Sequence, residues 1–343
     1  MRFILAIYVF GIFFSYGVFC SSSEKPGNDQ KISLEKVAHV RGLSEGPHWD
    51  VRTQKLYFVQ IWKQLIYSYN PATEEVFYAY IKNGPVSIVS TIEDTPGKLL
   101  VASGTDIVLV TWDGESNDDN PEIKVLLNSI EKDKKGYRFN DGKVDALGRF
   151  WAGTMCQLNH KNIPKVGTLY IVEDDVNGKL NIETKISSVS ISNGLDWQSD
   201  NKVFYYIDTL TDKVFAYDFD VSSSNITNKR VLIDVKEKGF KGYPDGMTID
   251  TDGNLWVALV HGSKVLHVDS KSGTILKEID FPVKMVTSVA FGGPNLDILY
   301  VTTATYDFPD KIVDENGGPI FALKNLGVKG FPPHLFKLNN NYE

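Results

Sequence analysis

The apolar positions of this chain fall into short aromatic-rich runs. The four clearest are Leu56-Tyr57-Phe58-Val59, Phe150-Trp151-Ala152-Gly153, Val203-Phe204-Tyr205-Tyr206 and Leu255-Trp256-Val257-Ala258. Runs of this length, broken by Gly, Asp and Asn, predict β-strands joined by tight turns. Long stretches of apolar residues at helical spacing are missing. Each run follows, within about fifteen residues, a short polar motif: Ser44-Glu45-Gly46, Phe139-Asn140-Asp141-Gly142, Ser192-Asn193-Gly194 or Pro244-Asp245-Gly246. The steps from Asn140 to Asn193 and from Asn193 to Asp245 are 53 and 52 residues, within the range of a four-stranded sheet repeated as a propeller blade. Weaker copies at Val86-Ser87-Ile88 and Thr287-Ser288 lead into Lys98-Leu99-Leu100-Val101 and Ile298-Leu299-Tyr300-Val301, which brings the count to six. The pattern predicts an all-β fold, a six-bladed β-propeller; such a ring needs closing, and the architecture assigns Ile32 to Val40 as the strand that closes it against the last blade. The motifs are expected in the loops before the innermost strands, on one face beside the axis. An acid, two amides and a second acid would meet there.

With 343 residues and 42% hydrophobic content, the chain suffices for one such ring with a large core. Residues 32–343 are read as a single propeller domain, 21–31 as a flexible polar lead and 1–20 as a secretory signal peptide. After Arg2 no charge occurs from Phe3 to Ser23. The most apolar stretch, Phe3 to Phe19, is shorter than the roughly 20 residues of a membrane span and contains Gly11, Ser15 and Gly17. Loss of Arg2 with the signal takes the net charge from −7 to −8, which argues against nucleic-acid or anionic-membrane partners. The expected protein is a secreted monomer. Of the two cysteines, Cys20 leaves with the signal, so no internal disulfide forms, and Cys156 is read as a small buried hydrophobe near a strand end. Asn225-Ile226-Thr227 is an acceptor triplet for an N-linked glycan in a polar stretch, which suits a surface loop.

Several chemistries have no residues to carry them. The histidines at 39, 48, 160, 261, 267 and 334 form no zinc-type pair or Cys-His cluster. There is no Gly-x-Ser-x-Gly elbow and no phosphate-cradling glycine loop. The acidic stretch from Trp112 to Pro121 lacks EF-hand spacing and reads as a solvated turn, and Asp250-Thr251-Asp252-Gly253 reads as a hairpin turn. The axial set remains: Glu45, Asn193 and Asp245, with Arg138 and Asn140 beside it. Asn-Gly, Asp-Gly and Glu-Gly pairs commonly mark nothing more than turns. The repeat changes that reading, because it brings several of them to one centre, where two uncompensated acids repel each other without a cation. Oxygen-only donors suit calcium, magnesium or manganese and leave positions for water or substrate.

The stretches Glu45-Gly46-Pro47-His48-Trp49, Arg138-Phe139-Asn140-Asp141-Gly142-Lys143-Val144-Asp145, Ser192-Asn193-Gly194-Leu195 and Tyr243-Pro244-Asp245-Gly246-Met247 occur in this order. Thr287-Ser288-Val289-Ala290-Phe291-Gly292-Gly293 and Gly327-Val328-Lys329-Gly330 follow them. Together they resemble the regucalcin, gluconolactonase and luciferin-regenerating enzyme family, with insect members nearest through Glu45 to Asp50 and Phe291 to Leu296. The resemblance implies one divalent cation on the axis, held by Glu45, Asn193 and Asp245, with calcium first among candidates that include zinc, manganese and magnesium. It places Arg138 and Asn140 on substrate oxygens, makes Asp245 the proton acceptor, and implies hydrolysis of a small-molecule lactone such as gluconolactone. Two departures stand out. Gly153-Thr154-Met155 leads to Cys156-Gln157-Leu158-Asn159 where some mammalian members carry an acidic pair, and Gln60 stands where many have Asp. The rival expectations are a non-catalytic calcium-binding or ligand-carrying propeller, and chemistry of the luciferin-regenerating type.

Overall fold

Each aromatic run becomes the second strand of a four-stranded antiparallel sheet. Lys55–Gln60 and Phe150–Cys156 are buried at every position. A strand with sheet neighbours on both edges and blades on both faces has no solvent side, so an unbroken apolar run is what its surroundings require. The outermost strands, such as Leu180–Val189 and Asn225–Asp234, are largely exposed and correspondingly polar. The computed structural model describes residues 31–128, 130–131, 134–158, 163–175, 179–308 and 311–339; the expected signal peptide and all but Lys31 of the polar lead lie outside them. Among the described residues there are six four-stranded sheets and one short two-stranded ribbon. The innermost strands, Ser44–Asp50, Val86–Thr91, Tyr137–Val144, Ser192–Trp197, Tyr243–Ile249 and Val286–Gly292, touch one another in that cyclic order around the axis. They begin blades 1 to 6.

The ring closes as the sequence leads one to expect. Ser33–His39 pairs antiparallel with Pro319–Lys324, from Ser33 opposite Lys324 to His39 opposite Pro319, and so becomes the outer strand of blade 6. A blade assembled from both chain ends makes closure a long-range pairing event and leaves the sheet no unpaired seam.

The polar motifs do not lie in loops ahead of the innermost strands. They lie inside those strands and break their register. Pairing slips between Glu45 and His48, Phe139 and Gly142, Ser192 and Leu195, and Pro244 and Met247, with smaller slips after Val86 and Val286. A bulge frees residues from the ladder and re-aims their side chains, which is why Gly, Asn and Asp concentrate there.

Large aromatic side chains fill the space between blades. Trp49 stacks on Tyr300 with ring centres 5.6 Å apart, and Trp151 meets Trp197 edge-on at 5.6 Å. Burial of each such ring contributes about 1.5 to 3 kcal/mol. Asp145 and Asp250 repeat one device in blades 3 and 5. Each accepts the backbone N–H groups of its hairpin turn and the indole N–H of the next strand's tryptophan, Trp151 or Trp256, at 2.9 Å. Asp250 also pairs with His267 Nε2 at 2.8 Å, and the His267 ring stacks on Trp256. The hairpin reading of Asp250 was correct but incomplete. The acidic 112–121 segment docks on the edge strand of blade 1, where Tyr80 N–H donates to Asp118 O at 2.9 Å.

After the last blade strand, residues 327–339 cross the ring as a strap. Thr251 N–H donates to Lys329 O at 2.8 Å, Phe336 N–H to Thr91 O at 3.0 Å, and Lys337 N–H to Gly148 O at 3.0 Å. Phe336 is fully buried and meets Phe150 edge-on in the cluster between blades 2 and 3.

Candidate metal and substrate site

Asn140, Asn193 and Asp245 occupy the unpaired bulge positions of blades 3, 4 and 5, and Glu45 is the last paired residue before the bulge of blade 1. Gly46, with φ of 52°, takes the left-handed turn that starts that bulge. Gly194 lets adjacent strands approach, because a Cβ there would lie 2.6 Å from Asp245 O. Local backbone irregularity, repeated around a ring, therefore gathers these side chains at the starts of the innermost strands.

Glu45, Arg138, Asn193 and Asp245 are all buried. Arg138 is tightly held: its Nη1 donates to Asn140 Oδ1 at 2.7 Å and to Phe139 O at 2.8 Å, and its Nε to Gln157 Oε1 at 3.1 Å. The Trp62 ring covers the guanidinium with 5.3 Å from Cζ to its centre. Asn140 Nδ2 donates to Ser192 O at 2.9 Å, which ties blade 3 to the strand that carries Asn193. The predicted metal and substrate residues are thus brought together. Asn225 stands apart and exposed, as the first residue of the outermost strand of blade 4.

The electrostatics are those of buried acids short of positive charge. Burial, reinforced by the Asp141 charge, pushes the Glu45 carboxyl up to about 8, against the opposing pull of the Gly46 N–H and Arg138. Burial likewise pushes Asp141 up to about 6, although Lys143 opposes it. Arg138 is pulled down to about 10 by burial, while Glu45 and Asp245 favour its charged form.

The donor set fits a divalent cation. Asn193 Nδ2 donates to Thr209 Oγ1 at 2.9 Å, which leaves the amide oxygen as the other end of the group, and that buried oxygen has no hydrogen-bond partner. An unpartnered buried acceptor costs about 1 to 3 kcal/mol, which coordination to a cation would offset. Ser87 Oγ, at the bulge of blade 2, is a second buried oxygen without a partner. Among the described residues no three His, Cys, Asp or Glu side chains cluster, because the third arm here is an amide.

Below the bulges the axis opens into a cavity of about 420 Å³, lined by the later halves of the innermost strands and capped by the strap at 331–334. There Lys143 pairs with Asp196 at 2.7 Å. Burial holds His48 down to about 4, and its Nε2 lies 2.9 Å from Thr91 Oγ1. Asp196 is neutralised by Lys143, whereas the upper set keeps the unpartnered Asn193 oxygen, and that set is the candidate for a cation.

Sequence reasoning missed three residues. Asp141, beside the site in the bulge of blade 3, adds its charge to the burial that raises Glu45. Its place in the Arg138-to-Lys143 run was the available signal. Trp62 and Gln157 contact Arg138 from outside the polar motifs; Gln157 lies in the 156–159 stretch already noted as a departure, and Trp62 carried no signal.

The fold and site define a six-bladed β-propeller with buried carboxylates, an unpartnered amide oxygen and a fixed guanidinium at one end of its axis. Residues 43–305 match the SMP-30/Gluconolactonase/LRE-like region, and the chain belongs to that family. It is 36% identical over 299 residues to regucalcin of Sus scrofa, a match covering 85% of this chain and 94% of that protein. Among solved structures it resembles a luciferin-regenerating enzyme at 36% identity and a TM-score of 0.83, over 90% of this chain and 100% of the other. A calcium-binding regucalcin from Agrobacterium tumefaciens is similar at 25% identity and a TM-score of 0.76, over 90% and 98% of the two chains.

Proposed function

We propose that the protein is a divalent-metal-dependent lactone hydrolase, with gluconolactone as the reference sugar lactone and calcium as the first candidate ion. The observation that carries this reading is the unpartnered Asn193 oxygen at the same end of the axis as Glu45 and Asp245, two acids whose charges both act on a rigidly held Arg138. Glu45, Asn193 and Asp245 would hold the ion. When bound, it supplies Lewis-acid polarisation of the lactone carbonyl and acidifies water. The chain's own residues do the rest. Arg138 spends Nε and Nη1 on protein acceptors, so Nη2 is the nitrogen left to meet the carbonyl oxygen as negative charge develops there. Asn140 and Gln157 fix the plane of that guanidinium. Asp245 takes the proton of the attacking water and returns it to the ring oxygen as the acyl C–O bond breaks, which yields the hydroxy acid.

Secretion is part of the proposal and rests on the uncharged run after Arg2. Asn225, exposed at a strand end, is the glycan acceptor it would present. The test is gluconolactone hydrolysis by protein stripped of metal and resupplied with calcium, manganese, magnesium or zinc, beside Asp245→Ala. Metal-restored turnover that the variant lacks is the expected result. Ion binding with no turnover of any lactone would sink the hydrolase reading and favour a cation-binding propeller.

A further inference from the structure

The polar floor of the site is bordered by apolar side chains. Trp62 follows the second strand of blade 1, Leu158 that of blade 3 and Leu210 that of blade 4, while Tyr243 opens the innermost strand of blade 5. The pairings of Ser44 with Gln60, Tyr137 with Cys156, and Ser192 with Asp208 place those turns at the end of the ring where the ligand residues sit. Trp62 touches a site residue, and the other three lie within two positions along the chain of a residue in the site or bonded to it. Trp62 lies over Arg138. Leu158 packs on Gly136, where a Cβ would fall 2.2 Å from its Cγ, and it follows Gln157, which binds Arg138. Leu210 follows Thr209, the residue that holds Asn193, and Tyr243 stands two residues before Asp245.

Leu158 is 67% exposed, Leu210 38% and Tyr243 39%. Single exposed apolar residues are ordinary on any surface. Several around one polar floor, contributed by separate blades, form the lining expected of a pocket for a partly apolar ligand. A polyhydroxylated ring would lose water against this border without gaining hydrogen bonds, whereas an alkyl or aryl arm would gain apolar burial. Of the three Arg138 nitrogens, two are held by protein acceptors, so Nη2 is the one left for a substrate oxygen.

We propose that Trp62, Leu158, Leu210 and Tyr243 form a specificity rim that favours lactones bearing an alkyl or aryl substituent over polyhydroxylated sugar lactones. This rests on the hydrolase reading for the position of the reacting ring. The ring lies over the polar floor and the substituent lies against the rim.

The test compares kcat/KM for a pentyl-substituted δ-lactone with that for gluconolactone, using calcium-loaded wild type and a Leu158→Ser/Leu210→Ser double variant. Wild type should favour the pentyl lactone, and the ratio should fall about tenfold in the double variant, the size expected for a few lost apolar contacts. A ratio that favours gluconolactone in wild type, or that the double variant leaves unchanged, overturns the rim. Binding of the matching δ-lactams, which resist ring opening, is measured in parallel from the Trp62 fluorescence change with Trp62→Phe as the blank. If no lactone is turned over but the pentyl lactam binds more tightly and the double variant abolishes that preference, the rim stands and the hydrolase reading fails. Equal binding of the two lactams by wild type overturns the rim whatever the turnover.

Discussion

If Glu45 is a ligand, as proposed, cation affinity should depend steeply on pH. With its pKa at about 8, the cation-free carboxyl holds a proton at neutral pH, whereas a cation ligand must be a carboxylate. Binding must therefore displace a proton over the range below that value. Each unit below about 8 weakens binding about tenfold, so affinity falls on the order of 100-fold from roughly pH 9 to roughly pH 6. The same shift has a stability consequence of definite sign. The folded-state pKa lies above the ordinary 4.5, so the folded state binds more protons than the unfolded chain between 4.5 and about 8. The contribution of Glu45 to stability is complete below that window and is lost as pH rises through it, so cation-free protein should melt at lower temperature as pH increases. Saturating cation should cancel the loss, because it favours the carboxylate. The assay is calorimetric titration with calcium in two buffers of different protonation enthalpy, which reports proton release directly. Release near one proton at roughly pH 6.5, abolished in Glu45→Gln, is the expected result. Affinity that changes less than about threefold over the range, with no proton release, would refute the argument.

Other perturbations test other parts of the molecule. Arg138→Ala should lower kcat/KM by about 100- to 1,000-fold while calcium binding, read by titration, is retained, because in the proposed mechanism Arg138 would face substrate and supply no ligand to the ion. Asp250→Ala strands the indole N–H of Trp256, His267 and two turn N–H groups, and should cost about 3 to 5 kcal/mol in urea unfolding. Asp252→Ala, in the same turn but exposed, should shift stability by less than about 0.5 kcal/mol. Phe336→Ala removes the anchor of the strap and should cost about 3 to 5 kcal/mol, with new proteolytic cleavage between residues 327 and 339. Cys156→Ser should keep its lactonase rate, since the thiol is buried at a strand end, and lose about 1 to 3 kcal/mol of stability for the buried hydroxyl.

The repeat of aromatic runs predicted the ring and its six blades, and the architecture, not the pattern, called for closure by the N-terminal strand. That information is local: a strand buried on both faces must be apolar throughout, and a period near 52 residues must return the chain to the axis. The sequence also singled out Glu45, Asn193 and Asp245, because turn-type residues recur there in phase. It could not say that these motifs lie within strands as bulges, since slipped pairing is visible only against a partner strand. Nor could it show that Asn193 keeps one oxygen unpartnered, that Asp141 raises the Glu45 pKa, or that Trp62 covers Arg138. Those facts depend on residues distant in sequence meeting where blades converge. Charge, desolvation and orientation at the site are properties of that meeting, and only the tertiary structure decides them.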